Sequence, residues 1–178
     1  MKKALLHICC AVCAAGCVQR LRDDGYEVTG FFYNPNIHPE EEYNKRLEAA
    51  KNVAKSLSFE LVEGSYDKDN WFLSVKDFEN EPEGGRRCEV CFKIRLGAAA
   101  VLARDNGFGY FSTTLSISPH KNAKLINEIG RLLSLDGFLD YDFKKEDGFK
   151  KTIDFAKNNN LYRQHYCGCV FSQRIREV

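Results

Sequence analysis

Residues 3–25 read KALLHICCAVCAAGCVQRLRDDG. The first seven form a near-continuous apolar run, as in a strand buried on both faces, and residues 14–24 carry helical spacing closed by Gly25. Strand followed directly by helix opens an α/β fold. Four thiols, Cys9, Cys10, Cys13 and Cys17, fall at the join, where many α/β enzymes carry a glycine-rich phosphate loop. If the helix starts near Cys10, then Cys10, Cys13 and Cys17 share one of its faces. Cys17, two turns along, is expected to pack against the sheet as a small, inert hydrophobe.

The same unit recurs along the chain. EVTGFFYNP reads as a second strand stopped by Pro35, and PEEEYNKRLEAAKNVAKSLS as a helix with Pro39 and acids in its first turn. FELVEGSY is a third strand. DNWFLSVKDFENEPEGG reads as an amphipathic helix running into a loop, RCEVCFKIRLGAAAVLARDNG as a long helix capped by Gly107, and GYFSTTLSIS as a fourth strand. Strands alternating with helices at ~25 to 35 residues per unit predict right-handed crossovers, hence a parallel sheet with helices on both faces. From Asn122 the pattern is mostly helical, in NAKLINEIGRLLSLDG and KKTIDFAKNNN, ending at LYRQHYCGC. The expected organisation is one domain over 1–178, with an α/β core over 1–121 and a helical part over 122–178 that completes a metal site.

A chain of 178 residues that is 44% apolar can bury a core without disulfide staples. Its N-terminal apolar run is too short and too cysteine-rich for a signal peptide, and no run reaches the ~20 apolar residues that span a bilayer. The expectation is a cytoplasmic protein with no membrane partner. In a reducing compartment, eight cysteines point to metal ligation or redox chemistry rather than disulfides. The net charge of +1 excludes neither nucleic acid nor protein partners.

Two further thiol pairs match the first cluster. Cys88 and Cys91 form a C-x-x-C at a helix start, and Cys167 and Cys169 a C-x-C in which Gly168 lets the backbone fold tightly around a ligand. Three clusters in one domain indicate metal, because thiolates gathered without a cation repel one another and oxidise. A structural zinc site of four cysteines, with the other thiols spare, is the plainer alternative. Without Cys17 seven thiols remain, and one tetrahedral ion or one cubane takes at most four. Three thiols with an open position suit a second metal beside the first; a cluster plus a catalytic dithiol is the other arrangement. His7 lies on the strand face of Cys9, as ligand, hydrogen-bond partner or packed residue.

LLHICCAVC, FFYNPNIHPEEEYNKR, EPEGGRRCEVCFKIRL, FSTTLSISPHKN, DFKKEDGFKK and LYRQHYCGCVFS together resemble the epoxyqueuosine reductases of the QueH type, collinearly and over nearly the whole chain. One departure is visible: the family reads C-C-A-P-C where this chain has Val12, which affects loop rigidity but no thiol. Cys17 lies outside the family motif.

The resemblance implies a HUP or PP-loop-like sheet and a tRNA-modifying oxidoreductase that removes the epoxide oxygen of epoxyqueuosine at the wobble position without cobalamin. It also implies a 4Fe-4S cluster and an additional mononuclear iron, held by Cys9, Cys10, Cys13, Cys88, Cys91, Cys167 and Cys169. Electrons would come from an external, ferredoxin-like donor, since no dinucleotide fingerprint is present. Asp142 is the expected carboxylate for a metal shell or a proton, with a capping role as its alternative. Tyr33 and Asn34, at the sheet edge that carries the cysteines, are expected in the substrate site. For tRNA carrying epoxyqueuosine, the candidate phosphate contacts are Arg86, Arg87, Lys93, Arg95, Lys144, Lys145 and Arg163, and the candidate stacking residues Tyr33, Trp71 and Tyr162. Three other functions compete: a PP-loop tRNA thiolase, which needs a Ser-Gly-Gly-type loop where CCAVC stands; a zinc RNA-binding module; and a metal-free dithiol oxidoreductase.

Overall fold

The computed structural model describes residues 1–173. Four strands, β1 (Lys2–His7), β2 (Tyr26–Phe32), β3 (Glu60–Glu63) and β4 (Tyr110–Thr113), form one sheet in the order β3-β2-β1-β4. Every pairing is parallel, with Leu6 opposite both Gly30 and Ser112. In β1, paired on both edges, Leu5 and Leu6 are fully buried on its two faces.

Helices α1 (Ala11–Asp23) and α2 (Glu40–Ser56) make the two outward crossovers and pack side by side. The chain then returns past β1 through α3 (Lys68–Ser74) and α4 (Arg86–Asp105), and α4 packs against β1 and β4. Reversal of direction puts α4 on the other face of the sheet, because right-handed crossovers of opposite direction lie on opposite faces. The remaining helices are laid on this frame: α5 (Ala123–Leu133) on α4, and α6 (Gly148–Asn158) on α1, with the short α7 (Val170–Gln173) following the last thiols. Residues 137–139 add a single bridge to the edge of β4, where Phe111 N–H donates to Gly137 O and Leu139 N–H to Phe111 O, both at 2.8 Å. Of the expected helical part, residues 174–178 lie outside the described residues. No described helix is long and apolar enough to cross a membrane.

The strand order reverses between β1 and β4, so their carboxyl ends diverge and leave the crevice in which open parallel sheets bind ligands. Two local expectations are corrected there and one is refined. The fourth strand stops at Thr113 and becomes a 3-10 turn over Thr114–Ile117, because the Thr113 hydroxyl accepts the Leu115 N–H at 3.2 Å and caps the turn. Helix α1 starts at Ala11 with Cys10 as its N-cap, at the start supposed for the shared face of the thiols and three residues before Ala14, where the apolar spacing begins. The helix of residues 69–85 shrinks to α3, since Phe78–Gly85 spend their backbone groups on turns around Arg87.

Gly16 is where α1 and α6 approach most closely: a Cβ there would meet Thr152 Oγ1 well inside contact distance. Thr152 is fully buried and β-branched, so it has little freedom to yield. Gly16→Val should therefore lower the urea midpoint at unchanged m, by roughly 2–3 kcal/mol of overpacking. Adding Thr152→Ala should return most of that loss, and strictly additive effects would refute the contact.

Candidate metal centre

The first arm is built on the end of β1. His7 is fully buried, with Nδ1 2.8 Å from Thr113 Oγ1 and Nε2 3.1 Å from Tyr33 O. Burial, with Arg95 nearby, lowers its pKa to about 3, so the ring is neutral and both nitrogens are occupied. Of its three possible roles, the structure gives it hydrogen bonding. Beyond it, Cys9 N–H donates to Thr114 Oγ1 at 3.0 Å, and that hydroxyl donates to Cys9 Sγ at 3.2 Å. Cys10 caps α1, its sulfur accepting the Cys13 N–H at 3.4 Å. The sulfurs of Cys9, Cys10 and Cys13 are buried and lie within 4.8 Å of one another.

The second arm is the first turn of α4, where Cys88 Sγ accepts Gly84 N–H at 3.2 Å and Cys91 follows three residues on, buried. The third arm, residues 166–169, has no strand or helix of its own. It is held by Arg46 of α2, a guanidinium 1% exposed, which donates to Cys167 O at 3.1 Å and Tyr166 O at 3.0 Å. Arg46 Nε donates to Glu42 Oε1 at 2.7 Å, and Glu42 also accepts Tyr162 O–H at 2.6 Å. His38 N–H adds a bond to Gly168 O at 2.8 Å. Gly168 sits at φ +108°, and a Cβ there would stand 2.8 Å from Ile37 Cγ1 and 3.0 Å from Arg46 Nη1, so both backbone and packing require glycine.

The arms meet in one crevice of two lobes. Cys9, Cys88, Cys91, Cys167 and Cys169 line an inner lobe of about 50 Å³, and Cys10, Cys13 and Cys167 an outer lobe of about 200 Å³. His120, Lys121 and Gln164 belong to both lobes. All seven expected ligands therefore converge. Cys17 lines neither lobe, is fully buried, and has its thiol pushed well above its usual range by burial.

Two sulfurs are the first to ionise. Cys9 is held well below the ordinary thiol value by hydrogen bonds from Cys10 and Cys13, with Lys121 and Arg95 adding positive charge. Cys167 is lowered likewise by its hydrogen bond with Cys169, then by Ser172 and Lys121. Cys13 goes up, chiefly through its hydrogen bond with Cys10 and then that with Cys9, and Cys169 goes up chiefly through its hydrogen bond with Cys167. Lys121 thus acts on both thiol groups, and its ammonium has no ion-pair partner among the described residues.

The other expected residues divide. Arg87 and Arg95 turn inward, 1% and 3% exposed: Arg87 binds the carbonyls of Phe78, Glu79 and Glu81, and Arg95 Nη2 donates to Asn34 Oδ1 at 2.5 Å. Neither offers its charge to a phosphate at the surface. Asn34, fully buried, also donates Nδ2 to Ile8 O at 2.9 Å and so ties α4 to the end of β1 without lining the crevice. Tyr33 stacks on Phe31, and Trp71 is 1% exposed beneath His38 and Phe72. Lys144 is half-buried, donating to Ser116 O at 3.0 Å and pairing with Asp142 at 3.2 Å. Asp142 accepts the Lys144 N–H at 3.3 Å and lines a separate cavity of about 580 Å³ between α1 and residues 140–155, which holds no thiol. Arg86, Lys93, Lys145, Arg163 and Tyr162 stay at the surface, although Lys93 pairs with Glu89 at 2.6 Å. Glu42, Arg46 and Lys121 were not singled out in the sequence; an i, i+4 Glu–Arg pair reads there as a solvated helix pair.

The profile of the family described as Epoxyqueuosine reductase QueH matches residues 4–175. Epoxyqueuosine reductase QueH of Acinetobacter baylyi is 41% identical over 176 residues, covering 97% of this chain and 81% of the relative. Among solved structures, a predicted subunit of tRNA methyltransferase from Methanocaldococcus jannaschii superposes with a TM-score of 0.61 at 12% identity, over 88% of this chain and 75% of that one. The U34-tRNA thiolase NcsA from Methanococcus maripaludis, solved with its [4Fe-4S] cluster, gives 0.60 at 12% identity, over 96% and 61%. At that identity the likeness is one of fold, and it bears out the PP-loop-like α/β class.

Replacing Arg46 by Met would leave Glu42 buried without its cation and free three backbone and side-chain acceptors. A loss of about 3–5 kcal/mol is expected, as for one partner of a buried ion pair. Amide exchange should quicken first at residues 166–169, and uniform exchange across the chain would refute the anchoring role.

Proposed function

The chain belongs to the epoxyqueuosine reductase QueH family, and from that premise we propose that it takes the epoxide oxygen from epoxyqueuosine in tRNA, leaving queuosine. Both C–O bonds of the epoxide break, a C=C bond forms, and two electrons and two protons carry the oxygen off as water. The observation that supports this most is the convergence of seven thiols from three separate segments on one crevice that the Lys121 ammonium also lines.

The donor set fits an iron-sulfur cluster with a neighbouring iron. Thiolates around one tetrahedral ion at ~2.3 Å lie roughly 3.8 Å apart, and the sulfurs of Cys9, Cys10 and Cys13 fall within 4.8 Å. Those three would hold the single iron with a position left open. No three of Cys88, Cys91, Cys167 and Cys169 gather so closely among the described residues, so these four would hold the larger cubane. Once bound, the two groups would supply electrons singly and a Lewis acid for the oxygen. An external one-electron carrier of the ferredoxin type would replenish them, in a reducing cytoplasm.

The chain's own side chains do the rest. Lys121 Nζ donates a hydrogen bond to the epoxide oxygen as negative charge grows there, the task first considered for Asp142. Gln164 Oε1, a buried acceptor without a partner that lines both lobes, takes an N–H or O–H group of the substrate. Arg86, Lys93, Lys145 and Arg163 meet tRNA phosphates, and Tyr162 offers its exposed ring to a base. A PP-loop thiolase would place backbone N–H groups for pyrophosphate after β1, and here Cys10 occupies that helix start.

Anaerobically reconstituted protein should carry about four sulfides and more than four irons per chain. Given a reductant, it should convert epoxyqueuosine in tRNA to queuosine without cobalamin or ATP, at a rate that falls with salt. Zinc without sulfide would remove the cofactor reading. Cys17→Ala should keep metal and turnover, while Cys10→Ser loses one or both. Lys121→Met should lower kcat well beyond its effect on tRNA affinity, since it removes an interaction made mainly in the transition state; a change in affinity alone would make Lys121 a phosphate contact.

A further inference from the structure

Arg87 spends half of its fork on protein. Nη1 donates to the carbonyls of Phe78, Glu79 and Glu81 at 3.1, 2.9 and 2.5 Å, which fixes the side chain under the 78–81 turns. Nε and Nη2 are buried without an acceptor, and no carboxylate lies within ion-pair distance among the described residues. Such a group is costly as it stands, because its hydrogen-bonding capacity and its charge are both removed from water. It lines the inner lobe with Cys88, Cys91, Cys167 and Cys169, and its charge acts on Cys88 and Cys169.

Trp71 repeats the pattern. Its indole N–H is buried without an acceptor, it lines the same lobe, and the ring packs in one cluster with Cys91 and Cys169. Buried donors without acceptors, one of them a cation, gathered where four thiols converge, favour an anion there. A cubane on four thiolates supplies one: its sulfurs accept hydrogen bonds, it is a dianion when oxidised, and it gains a further negative charge on reduction.

We propose that Arg87 and Trp71 form a donor shell for an iron-sulfur group on Cys88, Cys91, Cys167 and Cys169, making N–H···S bonds to it and raising its reduction potential. The inference rests on the cofactor reading above. Both are positioning residues: they act on the group that carries electrons and leave the substrate to other side chains. A cation and two kinds of N–H donor favour the more negative, reduced form, so their removal makes reduction harder.

The test is a redox titration of anaerobically reconstituted, full-length protein followed by electron paramagnetic resonance, with iron and sulfide measured first. Arg87→Met should shift the one-electron reduction equilibrium at least tenfold against reduction, which is a potential lower by about 59 mV. Arg87→Lys keeps a cation and should recover part of the shift, which a purely structural role for the fork would not give. Trp71→Phe removes one N–H and little packing, so it carries the test if Arg87→Met fails to assemble; a smaller shift of the same sign is expected. Variants with full iron and sulfide and an unshifted potential would overturn this inference alone. Wild-type protein that binds zinc and no sulfide would overturn the cofactor reading and this inference with it.

Discussion

The buried Glu42–Arg46 pair is what makes one site out of three distant segments. Two arms of the crevice have secondary structure to hold them: Cys9 follows the central strand and Cys10 caps α1, while Cys88 and Cys91 ride on α4. The third arm, around Cys167–Cys169, has no ladder and no helix to satisfy its backbone. Arg46 supplies what a neighbouring strand would, taking two successive carbonyls on one planar fork, and Glu42 keeps that fork charged and oriented. A lysine offers one point charge and no fork, so it could not take both carbonyls while holding Glu42. Pairing inside α2 sets the height of the third arm above the sheet, and Gly168 lets the chain lie against it.

Charge balance ties this anchor to the chemistry. Arg87, Arg95 and Lys121 surround the thiols from α4 and from the turn after β4, and Arg46 backs them from α2. Hydrogen bonds from neighbouring thiols lower Cys9 and Cys167 first, with Lys121 adding to both and Arg95 to Cys9, while Cys13 and Cys169 beside them go up. The same cations offset the repulsion between neighbouring thiolates. Cys17, one helical face further along α1 and away from these cations, is kept protonated by burial.

The strand-helix alternation, the parallel sheet and the set of seven thiols were legible in the sequence, because each depends on local periodicity or on residue type. The separate fate of Cys17 was legible too, since helix geometry carries a residue two turns along out of any crevice at the helix start. Orientation was not. Arg87 and Arg95 stand among basic and polar neighbours in RRCEVCFKIR and read like Arg86 and Lys93, yet α4 turns the first pair into the core. Asp142 was misplaced relative to the thiols for a related reason. Proximity in sequence to a strand end or a motif does not say which side of the sheet a carboxylate or amide reaches, and Asp142 ends beside α1 with Lys144. Glu42 and Arg46 went unread because a helical ion pair looks the same whether solvent or another segment covers it.

The two lobes also constrain how a nucleotide enters. The inner lobe, at about 50 Å³, is closed by Arg87, Trp71 and Phe92, and has room for a compact group on its thiols and little more. The outer lobe, at about 200 Å³, opens between the turn at Ser118–Lys121 and residues 163–167, with Phe149 at its rim and Arg163 among its lining residues. On the proposed reaction, a modified base flipped from an anticodon loop would reach the thiols of Cys10 and Cys13 first, with its phosphates beside Arg163. Glu83, His120, Lys121, Gln164 and Cys167 belong to both lobes, so a substrate in the outer one and an electron-carrying group in the inner one would meet at these side chains. On that reading binding falls to the solvent side and electron storage to the buried side, which would keep the reducing group from water while leaving the oxygen a path out.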